Sequence, residues 1–444
     1  MIDNRETLDR SPARSIALDC LEAGIRAGAP ETVIRNHVTY RDGTLHVDGT
    51  SYTLDPADRV IIVGAGKAAA RQAHAIESVL GDRIDDGLVI STESKSGNRI
   101  AIRQGDHPIP SHRNVAATRD IRDLVTAADE RTIVIVLISG GGSALLVDPA
   151  DPVTLEDLRT VTDDLLASGA PITDINAVRK HLSRVKGGQL ATVARPATVI
   201  GLALSDVVGD DPGTIASGPT VPDSTTFDDA LAVLDRHDID APPSVMNRLR
   251  SGSVGELPET PHPTDSAIST TTTHVIGTGL TTLRAAASVA EDRGYHSLLL
   301  STRLRGESRT TGQFHREIGT DIRETGIPCE PPAVILSGGE TTVSVDGDGR
   351  GGPNQEFALA AAIDLPDGIA IGAIDTDGID GTGPAAGALV DATTVAAPDA
   401  ARAALTANDT YEFLANQSDA IHTGQTGTNL NDLRVIVVPD DGGI

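Results

Sequence analysis

Four stretches in the first half of the chain are apolar on both faces and stop at small-residue turns. They are RVIIVGAG (59–66), GLVIST (87–92), TIVIVLIS (132–139) and ATVIGLALSD (197–206). A strand with one solvated face alternates polar and apolar residues, whereas a strand covered on both faces does not. Longer amphipathic stretches separate the runs, at 67–80, 115–129 and 155–169. This alternation predicts an α/β fold, a doubly wound parallel sheet with helices on both faces and ligand sites outside the carboxyl ends of its strands.

The third run leads into Ser139, Gly140, Gly141, Gly142 and Ser143. Each glycine is about 0.5–1 kcal/mol less favourable than Ala in ordered structure. Bare amides at the start of a helix suit a phosphate or a carboxylate. A tight turn that only needs positive φ is the plainer alternative; one glycine would satisfy it, and three exceed it.

At 444 residues the chain exceeds one ordinary core. Residues 251–266, SGSVGELPETPHPTDS, read as a linker between a domain over 1–250 and a smaller α/β domain over 267–444. In the second domain apolar runs at 273–280, 295–302, 333–347 and 369–378 flank a helical stretch at 281–294, and TTVSVD beside GDGRGG predicts a hairpin arm, hence a mixed sheet. No run approaches the roughly 18 apolar residues of a membrane span, and the polar start MIDNRETLDRSPARS has no leader-like core, so the expected location is the cytoplasm. Cys20 and Cys329 read as small apolar residues rather than nucleophiles.

The net charge of −27 argues against nucleic acid and anionic membranes as partners. The chain has 46 Asp and 17 Glu against 32 Arg and 4 Lys, the acidic surface expected in a salt-loaded, halophilic cytoplasm. The surviving lysines, Lys67, Lys95, Lys180 and Lys186, are therefore informative, because three of them lie in unusual motifs. Lys67 follows Gly64-x-Gly66 on a first helical turn, where a cation opposes the helix dipole and calls for an anionic partner. The same glycines with Ala69, and Glu93 after the next strand, match a dinucleotide fingerprint, which makes an NAD(P)-dependent reductase the rival reading. Lys180 and Lys186 share the stretch 175–191 with Arg179, His181 and Arg184; read as one helix, it carries Arg179 and Lys186 on one face as an anion-attracting wall. Asp206 ends a strand, where a carboxylate can deprotonate a hydroxyl or hold magnesium. Further on, Glu340 sits in a Gly turn, Arg350 and Asn354 flank a Gly-Gly-Pro turn, and Asp375, Asp377 and Asp380 cluster beyond a strand.

Taken in order, VGAGKA, GDHPIPS, LISGGGSALL, NAVRKHLSRVKGGQLA, SDVVGDDPGTIASGPTVPD, LSGGETTV, GRGGPNQE, DTDGIDG and TGTNLND make the chain resemble, over nearly its whole length, the glycerate 2-kinases with a DUF4147 domain and a C-terminal MOFRL domain, in an acidic, haloarchaeal-like version. The resemblance implies a Rossmann-like N-terminal domain, a smaller α/β C-terminal domain and an active site in the cleft between them. It implies transfer of the ATP γ-phosphoryl group to the 2-hydroxyl of D-glycerate, with Mg2+ as cofactor, and leaves a homodimer open. Some relatives carry a hydroxypyruvate reductase label. The family's glycine-flanked lysine falls on Lys67, its strand-end aspartate on Asp206, and its C-terminal turn and acid on 350–356 and Asp377. Pro353, His262 and Gln425 depart from the family pattern, and Pro353 stands where many members have an Arg that Arg350 would have to replace.

The expected catalytic residues are thus Lys67, Asp206, Arg350 and Asp377. Nucleotide contacts are expected from Gly64, Gly66, Ser139, Gly140, Gly141, Gly142, Ser143, Lys180, Glu340 and Asn354, and metal ligands from Asp206, Glu340 and Asp377. Arg179 and Lys180 compete for the glycerate carboxylate and the phosphates.

Overall fold

The computed structural model describes residues 1–93 and 97–440, apart from the side chain of Ala267; Lys95 lies outside the described residues. The chain forms two compact units, one of Val33–Ile276 and one of Met1–Thr32 with Gly277–Ile444.

In the first unit the apolar runs become β1 (Arg59–Ala65), β2 (Asp86–Ser91), β3 (Ala101–Gln104), β4 (Thr132–Ile138) and β5 (Thr198–Leu204), joined by an edge strand, β6 (Thr271–Gly277). The sheet order is β3-β2-β1-β4-β5-β6, and β1 to β5 pair in parallel. This is the doubly wound Rossmann order, in which the direction of winding reverses between β1 and β4. All seven residues of β4 are buried. Each large aliphatic side chain so covered contributes about 1.5–3 kcal/mol.

The second unit carries a mixed sheet. Its strands are β7 (His296–Leu304), β8 (Ala333–Gly339), β9 (Ala370–Asp375), β10 (Gly387–Asp391), β11 (Ala420–Ile421) and β12 (Asp432–Val438), in the order β7-β8-β12-β9-β10-β11. Only β7 and β8 pair in parallel. The expected hairpin arm over TTVSVD is absent; beyond Gly339 that stretch has only an isolated bridge, Thr342 to Glu307.

The units divide elsewhere than the 251–266 stretch suggests. Helix α1 (Pro12–Gly28) packs on the mixed sheet, where a Cβ at Gly24 would lie 2.3 Å from Leu433. Buried Arg14 fastens it there, donating to Asp391 at 3.0 Å, to Asp419 at 2.6 Å and to the Leu389 carbonyl at 2.8 Å. The Ser, Gly and Pro residues of 251–266 are tied down within the first unit. Glu259 accepts from the Phe227 amide, Thr260 donates to Asp223, and the chain then adds β6 to the parallel sheet. No helix of the described residues is long and apolar enough to cross a membrane.

His315, on α3 (Ser308–Thr325), is buried between the Thr311 carbonyl and the Ser337 hydroxyl, each 2.8 Å away. Burial pushes its pKa down to about 4; the Thr311 carbonyl opposes that shift and the Arg434 charge adds to it. The unfolded chain therefore takes up a proton that the folded chain refuses, and stability is lost as pH falls from about 6.5 toward 4. At its full extent this is on the order of 3 kcal/mol. Urea midpoints of His315→Gln should fall less steeply over that range than those of the parent; parallel slopes would remove His315 from the acid limb.

Candidate active site at the carboxyl ends of the parallel sheet

Where winding reverses between two neighbouring parallel strands, the loops that follow them diverge and leave a crevice. The loop after β1 carries Gly66 and Lys67, and the loop after β4 carries Ser139 to Ser143. Backbone hydrogen bonds lock the two together. The Lys67 amide donates to the Gly140 carbonyl at 2.8 Å, the Ser139 amide to Ala65 at 3.3 Å, and the Ala68 amide to the Ser139 hydroxyl at 3.2 Å. The Gly66 amide donates to Ile90 at 3.1 Å. The first glycines owe their place to this close approach. A Cβ at Gly64 would lie 2.0 Å from the Leu137 carbonyl oxygen, and one at Gly66 2.0 Å from the Ser139 hydroxyl.

This arrangement corrects the dinucleotide reading of Gly64, Gly66 and Glu93. A pyrophosphate needs open amides at the head of the helix, and the amides of residues 66 to 68 are already spent on Ile90, Gly140 and Ser139. Gly64, Gly66 and Ser139 join the loops instead of facing a ligand. Glu93 follows β2 and donates its amide to the Ser91 hydroxyl.

The open amides lie one loop away. Gly141 takes a left-handed conformation, φ +77°, and Gly142 donates back to Ser139 at 3.1 Å. The amides of Gly140, Gly141 and Ser143 find no acceptor among the described residues. Side chains crowd the turn from several directions. A Cβ at Gly140 would lie 2.0 Å from the Asp206 Oδ2, and one at Gly141 would lie 2.9 Å from the His107 ring and 3.1 Å from Lys67 Cγ. Adjacent glycines thus face the carboxylate that follows β5 and the stem of the lysine that follows β1. The Lys67 ammonium has no hydrogen-bond or ion-pair partner among the described residues. Burial, with the charge of Lys67, holds the His107 imidazole below its ordinary pKa.

Behind the turn runs a buried polar chain. Ser217 donates to Asn176 Oδ1 at 2.8 Å and contacts the Ser143 hydroxyl at 2.8 Å. With the Ser217 proton on Asn176, the Ser143 hydroxyl donates to Ser217. Ser217 and its neighbour Ala216 are held at φ +61° and +51°, conformations costly for residues with a Cβ. Lys186, fully buried, donates to the carbonyls of Ser143 at 2.8 Å and Leu146 at 2.9 Å, at the far end of the single turn Gly142–Leu145. Burial and the nearby Arg179 push its pKa down to about 7. Arg179 makes no hydrogen bond or ion pair among the described residues. It and Lys186 line a cavity of about 380 Å³ that also touches His107, Gly141 and Ser143.

In the comparisons, residues 16–250 match a family described as a domain of unknown function, DUF4147, and residues 333–432 match the MOFRL family. The chain is 38% identical to the glycerate 2-kinase of Pyrococcus horikoshii, over 97% of this chain and 98% of that protein. It is 40% identical to the D-glycerate 2-kinase of Thermotoga maritima, over 85% of this chain and 90% of the other. The chain belongs to the glycerate 2-kinase family. The crystal structure of a glycerate kinase from Thermotoga maritima superposes with a TM-score of 0.85 at 36% identity, covering 96% of this chain and 99% of that one.

Within this glycerate 2-kinase fold several expected contacts fall elsewhere. Lys180 is paired with Asp223 at 3.0 Å, both buried, and Asp223 also accepts from Thr225 and Thr260. Its ammonium is therefore structural, because a buried carboxylate holds it. The helix expected over 175–191 stops at His181 and turns through Gly187 and Gly188, both at positive φ. Arg179 and Lys186 still meet at the cavity, brought there by the turn rather than by helical spacing.

In the second unit Arg350 is exposed, paired with Glu412 and stacked on Tyr411 with its guanidinium carbon 5.2 Å from the ring centre. Asn354 is buried and bridges Asp380 at 3.1 Å and Asp432 at 2.7 Å, so it organises carboxylates instead of meeting a nucleotide. Asp380 caps α4 (Pro353–Ala362), accepting the amides of Asn354 and Gln355 at 2.9 Å; burial outweighs these bonds and pushes its pKa up to about 6. Asp375 is raised well above the carboxylate range by burial, then by the charges of Asp377 and Asp432. Asp377 accepts from the Ile379 amide at 2.9 Å, and Glu340 follows β8 on the surface, its amide on the Leu304 carbonyl. Sequence reasoning passed over His107, Asn176 and Ser217. His107 and Asn176 lie in the quoted motifs GDHPIPS and NAVRKHLSRVKGGQLA and Ser217 in GTIASGP, whose strain shows only in the coordinates.

Proposed function

We propose that the protein is an ATP-dependent glycerate 2-kinase in which the turn Gly140–Ser143 holds the β- and γ-phosphates and the Lys67 ammonium neutralises the transferring group. The observation that carries these roles is a lysine with no hydrogen-bond or ion-pair partner among the described residues, beside three amides with no acceptor among them, at the switch point of the sheet in a chain of net charge −27. Phosphoryl transfer asks a protein for little beyond positioning and charge neutralisation. The 2-hydroxyl oxygen of D-glycerate attacks the γ-phosphorus, the bond from that phosphorus to the β,γ-bridging oxygen breaks, and ADP leaves with the electron pair. The hydroxyl proton passes to the Asp206 carboxylate, which lies against Gly140. With Lys180 engaged by Asp223, anion contacts beyond Lys67 fall to Arg179.

A divalent cation such as Mg2+, when bound, supplies further charge at the phosphate oxygens. Among the described residues no three His, Cys, Asp or Glu side chains form a set that could hold a metal. That suits Mg2+, which keeps phosphate and water ligands and needs only one or two carboxylates. Asp206 would be its protein ligand.

The test is an ADP-release assay in concentrated KCl, the salt its acidic surface calls for, comparing D-glycerate with L-glycerate, hydroxypyruvate and water. Phosphorus NMR would locate the new ester. Release of ADP with D-glycerate and an ester on the 2-oxygen is the expected result. Oxidation of NADH by hydroxypyruvate with no ADP release would overturn it.

A further inference from the structure

We propose that the cavity beside the Gly140–Ser143 turn is the seat of the nucleobase and ribose of the phosphoryl donor. The assignment rests on the kinase reading and adds where the non-reacting half of the nucleotide goes. Two walls define the slot. One is the segment His107–Pro110; the other is α2 (Leu155–Ala167), which presents Leu158, Thr162 and Leu166. Arg159 ties them together, its Nε donating to the Pro110 carbonyl at 2.8 Å. Facing apolar surfaces suit a flat aromatic ring, and Ile109 and Leu166 leave 59% and 56% of their surface open although both line the slot. Large apolar side chains exposed at a concave site mark a place where a ligand completes the burial.

The slot is continuous with the phosphate turn. Gly141 and Ser143, whose amides are open, line the same cavity as Ile109 and Leu166. Arg179 and Lys186 line it too, and Arg179, with Asp163 as a nearby countercharge, makes no hydrogen bond or ion pair among the described residues. Thr162 and Asp163 also line it and supply oxygen acceptors for ribose hydroxyls or an exocyclic amine. A cavity of about 380 Å³ lies within the range of drug-sized ligands and far exceeds the need of a three-carbon acid. A lining that joins open amides and cationic side chains to apolar surfaces suits a nucleoside polyphosphate whose phosphates lie at the glycine turn.

Calorimetric titration with ADP and with inorganic tripolyphosphate separates the two halves of the site. Thr162→Trp fills the slot and should weaken ADP by roughly tenfold or more while leaving tripolyphosphate within about twofold. Ile109→Ser and Leu166→Ser trim exposed side chains without threatening the fold; they should weaken ADP several-fold, spare tripolyphosphate, and raise the KM for ATP but not for D-glycerate. Unchanged ADP affinity in folded variants, or a raised KM for D-glycerate alone, would overturn the slot while leaving the kinase reading intact. Failure of the parent protein to bind ADP at all would instead sink the kinase reading itself.

Discussion

Lys67→Ala should lower kcat for phosphoryl transfer on the order of 10³-fold or more, because one fixed cation beside the transferring group is worth several kcal/mol in a site where water is scarce. The fold should be unaffected. Lys67 contributes its backbone to the loop junction, through its amide to Gly140 and its carbonyl to Ser91, and Ala keeps both bonds. Its side chain has no partner to lose among the described residues. Melting temperature and kcat measured on the same preparation decide the matter: near-parental turnover removes Lys67 from the reaction, whatever the stability. Lys67→Arg is a stricter version. It keeps the charge but replaces a point donor by a planar fork in a space that already brings the Lys67 stem close to Gly141, so only partial recovery is expected.

Asp206→Asn should cost 10²- to 10⁴-fold in kcat, the range for loss of a positioned base. It keeps the volume beside Gly140 and removes the charge. Gly140→Ala is its geometric counterpart, since the added methyl would sit 2.0 Å from the Asp206 Oδ2 and drive the carboxylate away. If Asp206 accepts the glycerate proton, Asn should flatten the acid limb of the kcat profile and Gly140→Ala should lower kcat with the limb retained. A fall in stability with kcat unchanged in Asp206→Asn would make the carboxylate structural.

Much of this site was legible because it is local. Continuous apolar runs, an Asp-rich chain that keeps only four lysines, and three consecutive glycines are each visible in a short window. They led to Lys67, the 139–143 turn and Asp206, which the fold does bring together. What a short window could not show depended on partners distant in sequence. Lys180 looked like Lys67 as a rare cation in a motif, but Asp223, 43 residues away, neutralises it. Gly64 and Gly66 resembled a dinucleotide fingerprint, but Ser139 and Gly140 consume the amides such a ligand would need. Arg350 resembled a phosphate contact until Glu412 and Tyr411 engaged it.

The boundary between the units failed for the same reason. Residues 251–266 have a linker's composition, yet β6 beyond them completes the first sheet, and α1 joins the second unit through Arg14 and the close contact at Gly24. Local composition reports where a chain can bend, not which sheet each segment covers.

By itself the sequence determined the strand and helix alternation, the doubly wound class and the loops that carry the chemistry, since periodicity and backbone freedom are properties of neighbouring residues. The tertiary structure decided which cations are unpaired and which amides are open. Both are set by what arrives from elsewhere in the chain, because a charge or a donor remains available to a ligand only where the fold supplies it with no partner.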